Sequence, residues 1–194
     1  MVDRRLISAA RALERDGLVV GSTGNVSARV PGGARITPSR VPYERMRRRD
    51  LVTVADDGRV VRGRREPSIE LPLHLAIYRA RPDVAAVVHT HSAHATAWSF
   101  LGRELQPAIE DGAYFGIGPV RTSPPASAGS EQLAEVAVDA LGASLAVLIG
   151  GHGVVAVGPS LETACTVARA VEHQARIAWL LLDRQAAHGR HERP

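Results

Sequence analysis

Two histidines separated by a single threonine, His89 and His91, close the stretch "DVAAVVHTHS". Residues two apart on a strand point to the same side, so both imidazoles would face one way. That spacing suits two ligands on one metal ion. Strand-end histidine pairs also occur as plain surface residues. A third histidine, His152, sits in "GGHG" directly after the apolar run "LAVLI". Its flanking glycines permit a tight turn and a close approach by another group. Three histidines with an open fourth position form the pattern of a catalytic zinc site rather than a closed structural one. Nickel, cobalt and manganese also suit such donors. Glu70 is the carboxylate that stands out. In the first turn of a helix it is either a partner of the helix dipole or a general acid/base held over the metal. The stretch "GSTGNVS" could present backbone N–H groups and Asn25 to an anion, or be only a turn. His94 lies on the wrong strand parity and reads as supporting or structural. His74, one turn after Glu70, reads as a packed helix residue able to orient Glu70. His173, His188 and His191 read as surface residues.

A frame of alternating helices and strands must bring these residues together. An amphipathic helix is expected from Asp3 to Asp16, with Leu6, Ala9, Ala10 and Leu13 on one face and Gly17 as its stop. "LVVGSTGNVSARV" and "ARITPS" read as strand segments around the turn "PGG". A helical turn at "PYERM" precedes a hairpin around "DDG". A second helix is expected over "EPSIELPLHLAIYRARPD", with Ser68 as cap, Pro72 in the first turn and Pro82 as stop. "DVAAVVHTHS" is then a buried strand. Residues from Ala95 to Ser127 read as irregular. A helix from Glu131 to Leu141 ends at Gly142, and "LAVLIGGHGVVAVG" reads as strand, glycine turn, strand. The last helix starts after Ser160, runs to about Arg184, and buries Leu161, Ala164, Val167, Val171, Ala175, Ala178 and Leu182. The tail "AAHGRHERP" is expected to fray. Hairpins mixed with helices imply an α/β domain over 1–194, its sheet largely antiparallel and covered by helices.

Composition narrows the chemistry. The 194 residues are 45% hydrophobic, enough for a substantial core. No apolar run reaches the roughly 18 residues of a membrane helix. The start lacks the continuous apolar segment of a signal peptide. The lone Cys165 excludes an intrachain disulfide and fits a reducing cytoplasm. The formal charge is +4, but the arginines are dispersed and aromatics make up 4%, too few for a base-stacking platform. The short cluster "RMRRRD" reads as a solvated turn, so no nucleic-acid partner is expected. All 24 basic residues are arginine, and there is no lysine. A lysine Schiff base, a pyridoxal-phosphate lysine and a P-loop lysine are therefore excluded. Carbonyl activation in this chain needs a metal or an arginine.

The motifs "GSTGNVSAR", "ITPSRVPYE", "EPSIELPLHLAIYRARPDVAAVVHTHSAHATA" and "GGHGVVAVGPSLETACTVARAVE", in this order over about residues 21–175, resemble the class II aldolase/adducin-head family. That family includes the fuculose-1-phosphate aldolase and ribulose-5-phosphate 4-epimerase groups. The resemblance implies a three-layer α/β/α sandwich around a mostly antiparallel sheet. It also implies a homotetramer with the active site at a subunit interface. By it, His89, His91 and His152 are zinc ligands, and Glu70 is the acid/base beside or on the metal. Asn25, Ser39 and Ser68 match positions that hold a substrate phosphate, and Ser22 matches a neighbouring hydroxyl. The implied activity is a zinc-dependent lyase. It would cleave a carbon–carbon bond of a small sugar phosphate or sugar acid through a metal-stabilised enediolate, in aldolase fashion. Decarboxylation of a 3-oxo sugar acid phosphate and 4-epimerisation share that chemistry.

Departures from the family pattern matter. Arg40 stands where the family often has Gly, and its guanidinium could grip phosphate or carboxylate; the alternative is that it points to solvent. Ile69 stands where the aldolases have Ser. The tyrosine-bearing tail of the better-known members has no counterpart in these residues. The epimerase group has Asp at the position of Glu70 and Asp at that of Ala113, so both positions count against an epimerase. Asp111 is a secondary acid candidate. A non-catalytic, adducin-head-like oligomerisation domain is the competing reading from another class. Retention of all three histidines and Glu70 weighs against it.

Overall fold

The computed structural model describes residues 2–191, with side chains through residue 184. Eight strands form one sheet: β1 (Asn25–Val30), β2 (Gly33–Ile36), β3 (Val52–Ala55), β4 (Val60–Arg62), β5 (Ala86–Thr90), β6 (Thr122–Ser123), β7 (Ala146–Ile149) and β8 (Gly153–Gly158). Their spatial order is β4-β3-β2-β1-β5-β8-β7-β6. Every pair is antiparallel except β6 with β7, which run parallel.

Strand alternation divides the core into two layers. On β5 and β8, Ala86, Val88, Val154 and Ala156 pack under α1 (Val2–Arg15), α3 (Ala93–Ser99) and α6 (Leu161–His191). Val87, Val155 and Val157 face α2 (Leu71–Ala80) and α5 (Glu131–Leu141) on the opposite side. The result is the three-layer α/β/α sandwich. The strands at its centre are apolar on both faces because both faces are covered.

Several local expectations change in the folded chain. The second helix begins only at Leu71, with Glu70 at its N-cap position, so Ser68 lies before the helix. Ser68 Oγ nonetheless accepts the Glu70 N–H at 3.3 Å. The segment 95–127 is less irregular than its Gly and Pro content suggests. It contains most of α3, a short α4 (Asp111–Tyr114) and β6. The start of α3 is held by a residue far away in sequence. The Glu172 carboxylate on α6 accepts from the backbone N–H groups of His94 and Ala95 and pairs with His94 Nδ1. Capping from 78 residues away leaves no local signal. The helical backbone of α6 continues through His191, beyond the expected end near Arg184. Residues 192–194 and the side chains of His188 and His191 lie outside the described residues. His173 is exposed, as expected.

Candidate metal centre and active site

Sheet parity aims the site residues. His89 shares the parity of Val87, so its imidazole points toward the α2 layer. In the β1–β5 register Asn25 lies directly opposite His89, and directly opposed residues share a face. Asn25 therefore points the same way. His91 follows two residues after His89, just beyond β5, and His152 sits in the turn from β7 to β8. Glu70 enters from the start of α2. The four side chains converge, and one ligand atom from each of Glu70, His89, His91 and His152 lies within 4.8 Å of the others.

Two glycines make this convergence possible. Gly24 adopts φ +73, and an added Cβ would meet the His89 carbonyl oxygen at 2.5 Å. Gly153 faces β5 so closely that a Cβ would overlap the Thr90 carbonyl oxygen and lie 3.1 Å from His89 Cε1 and 3.2 Å from His91 Cδ2. A side chain at either position would push the histidine-bearing backbone away.

The geometry fits a divalent cation. His89 is fully buried, and its Nδ1–H donates to the Val154 carbonyl at 2.9 Å. That bond fixes the tautomer and leaves a lone pair on Nε2. This Nε2 faces His91 Nε2 at 2.9 Å and Glu70 Oε2 at 3.2 Å. His152 Nε2 lies 3.4 Å from Glu70 Oε1. The three imidazole rings are 4.8 to 4.9 Å apart, edge to face. Glu70 Oε1 is buried and has no hydrogen-bond partner. An orphaned carboxylate oxygen among converging imidazole nitrogens is costly alone and matched by a cation.

The electrostatics agree with that fit. Burial and the neighbouring imidazoles push His91 down to about 4. Burial and His89 also lower His152. Both rings are thus neutral near pH 7, the state that binds metal. Burial alone would raise the Glu70 carboxyl. His89, the Asn25 amide, His152 and His74 outweigh it, so Glu70 is held below its ordinary value and ionised.

The other predicted site residues fall in different places. Asn25 is buried, and its Nδ2 donates to Glu70 Oε2 at 2.7 Å. Its amide thus serves the carboxylate in this structure. Ser68 is buried beside Glu70, and Ser39 is half-buried on the neighbouring segment, whose Pro38 pairs with Pro67. Ser22 and Arg40 are exposed. Arg40 is the one described non-glycine residue with a left-handed backbone, at φ 58. Asp111 is exposed at the start of α4, outside the histidine–carboxylate group. His74, read from sequence as packing, proves fully buried and hydrogen-bonded to both Asn25 and Ser27. Sequence reasoning missed Ser27 and Tyr78, which continue that network. The available signal was their spacing: Asn25 and Ser27 are two apart on a strand, His74 and Tyr78 four apart on a helix. It also missed the buried hydroxyls of Thr90 and Ser92 beside the histidines, which have no hydrogen-bond partners.

Comparison with known proteins gives one consistent result. Residues 4–179 match the family described as Class II Aldolase and Adducin N-terminal domain. The 5-deoxy-D-ribulose 1-phosphate aldolase of Bacillus thuringiensis serovar kurstaki is 37% identical over 174 residues, 89% of this chain and 81% of that protein. The L-fuculose phosphate aldolase of Escherichia coli strain K12 is 37% identical over 175 residues, 90% of this chain and 80% of the relative. Among solved structures, an L-fuculose 1-phosphate aldolase superposes with a TM-score of 0.88 at 30% identity, covering 94% of this chain and 86% of the other.

Proposed function

This chain belongs to the class II aldolase and adducin N-terminal domain family, and from that premise we propose that it is a zinc-dependent aldolase acting on a small ketose phosphate. The convergence of Glu70, His89, His91 and His152 within 4.8 Å carries the reading. His89, His91 and His152 would hold the ion, with Glu70 beside or on it. Bound there, the ion would supply a Lewis acid for the negative charge that develops when the carbon–carbon bond breaks. With no lysine in the chain, no Schiff base competes for that role.

The chain's own residues do the rest. Glu70 presents Oε1, its unpartnered oxygen, as the atom that gives or takes the proton at the reacting carbon. Asn25 holds Oε2, so proton traffic is confined to one oxygen. Ser39 and Ser68, with the neighbouring Ser22, are the groups proposed to receive the phosphate; Asn25, expected among them, has both ends of its side-chain amide engaged by Glu70 and His74. Arg40 is proposed as an added anion contact. The relatives' names, 5-deoxy-D-ribulose 1-phosphate and L-fuculose phosphate aldolase, guide the substrate class.

A homotetramer in the cytoplasm, with the site at a subunit interface, completes the reading. Phe100, whose ring covers Gly151 beside His152, is 72% exposed, and Tyr114 is 85% exposed. Burial of these rings against a second copy would account for their exposure in one chain. Light scattering at the mass of a single chain would refute the assembly. Among the described residues, no helix is long and apolar enough to cross a membrane.

Elemental analysis with a substrate screen tests the reading as a whole. The expected result is about one zinc per chain, its loss in His91→Ala with the fold retained, and metal-dependent cleavage of ketose 1-phosphates. Protein unable to bind added zinc would sink it and favour the oligomerisation-domain alternative. Release of carbon dioxide from 3-oxo acid phosphates without ketose cleavage would favour the decarboxylase.

A further inference from the structure

Five buried side chains, Tyr78, Ser27, His74, Asn25 and Glu70, form an unbroken hydrogen-bonded line. Each link leaves one direction for its proton. An ionised carboxylate only accepts, so Asn25 must offer Nδ2 to Glu70 Oε2, which lies 2.7 Å away. That turns Asn25 Oδ1 toward His74. An amide oxygen also only accepts, so His74 must carry its hydrogen on Nε2. A neutral imidazole protonated at Nε2 accepts at Nδ1, and the Ser27 hydroxyl donates there at 2.6 Å. Ser27 Oγ is then free to accept from the Tyr78 O–H, 2.8 Å away. No carboxylate is hydrogen-bonded to the His74 ring, and burial outweighs the attraction of Glu70, so the imidazole is neutral.

The opposite arrangement is self-defeating. A flipped Asn25 amide would set Oδ1 against Glu70 Oε2, two buried acceptors at hydrogen-bond distance. The carboxylate would swing away, and Oε1 with it. The backbone fixes the other end. Asn25 and Ser27 project from one face of β1, and His74 and Tyr78 lie one turn apart on the covering helix.

We propose that His74 is a positioning residue for Glu70: backed by Ser27 and Tyr78, its Nε2–H fixes the face of the Asn25 amide, and that amide pins Oε2 beside His89 so that Oε1, toward His152, is the oxygen left unpartnered. This rests on the reading of Glu70 as the proton-transfer group.

Nitrogen NMR of histidine-labelled protein reads the first half directly. The expected state of His74 is the Nε2–H tautomer; an Nδ1–H tautomer would overturn the proposal. Kinetics on a ketose phosphate that the wild type cleaves reads the second half. His74→Leu should lower kcat by about tenfold or more with KM within about twofold and metal content unchanged, because orientation is lost but binding groups remain. His74→Gln, which can still place an N–H at Asn25 Oδ1, should recover most of that loss. Adding His74→Leu to Glu70→Gln should cost little more than Glu70→Gln alone, since both act through one carboxylate. Multiplicative losses, or no recovery in a folded His74→Gln, would overturn the positioning role. If His74→Leu does not fold, Ser27→Ala carries the test, with kcat reduced several-fold at unchanged KM expected and wild-type kcat refuting. Normal turnover by Glu70→Gln alone would instead remove the assumed role of Glu70, while the tautomer still decides the orientation of Asn25.

Discussion

Replacing Gly153 by alanine is the sharpest test of how the backbone sets the metal centre. Gly153 opens β8, and its neighbour Val154 pairs with Thr90, the residue between the two strand histidines. A methyl at residue 153 would overlap the Thr90 carbonyl oxygen, roughly 1 Å inside ordinary van der Waals contact. It would also sit 3.1 Å from His89 Cε1 and 3.2 Å from His91 Cδ2, closer than carbon atoms normally approach. The obstructing atom is backbone, so relief requires the ends of β5 and β8 to separate. Overpacking of this kind costs about 1–3 kcal/mol. Because the strain falls on residues 89–91, much of it should appear as lost metal affinity, where every ~1.4 kcal/mol is tenfold in Kd. The Val154 carbonyl that fixes the His89 tautomer would move as well. We expect Gly153→Ala to bind zinc about 5- to 100-fold more weakly in competition with a chromophoric chelator, while circular dichroism stays native. Wild-type zinc affinity in this variant would refute the claim that close approach at Gly153 positions the ligands.

Glu70→Gln should retain substrate binding while kcat falls ~10²–10⁴-fold, since Gln preserves the shape but cannot carry the proton; near-normal turnover would move that role elsewhere, with Asp111 the next candidate. Arg40→Gly should raise the melting temperature, because releasing a left-handed non-glycine backbone is worth roughly 1 kcal/mol. If the guanidinium also grips the anion, KM for a phosphorylated substrate rises about tenfold or more in the same variant, a charge-assisted hydrogen bond being worth ~1.5–3 kcal/mol; an unchanged KM leaves Arg40 a surface residue. Burial lowers His74 from 6.5 to about 3. The unfolded chain therefore takes up this proton first, and stability present above pH 6.5 is lost progressively as pH falls toward about 3. Urea midpoints of metal-free protein should fall across that window by an amount equivalent to a few kcal/mol, and less steeply in His74→Leu; equal slopes would exclude His74 as a contributor.

How much of this was legible in the sequence depends on whether the cause was local. The buried apolar run ending at His89, the amphipathic pattern of the first and last helices, and the helix Glu131–Leu141 stopped by Gly142 were readable because each reports a nearby physical constraint. At its start the structure adds a cap, Ser130, whose Oγ accepts the Leu133 N–H at 3.0 Å. The strand parity of His89 and His91 and the glycines around His152 announced a cluster before any fold was known. The absence of lysine limited its chemistry. Tertiary structure decided what depends on distant partners. The carboxylate of Glu172 organises α3, and the side-chain oxygen of Gln174 accepts from Ala108 and Ile109, so a segment that looked irregular is partly helical. Arginines that seemed dispersed are gathered when β3 and β4 fold back. Arg35, Arg48, Arg49, Arg62, Arg64 and Arg65 line one cleft with Asp3 and Asp50. The direction of the Asn25 amide was likewise invisible in "GSTGNVS". It follows from β1 lying under α2, which places His74 on one side of Asn25 and Glu70 on the other. Sequence names the groups that can do chemistry; only the packed sheet and helices determine which hydrogen each of them must hold.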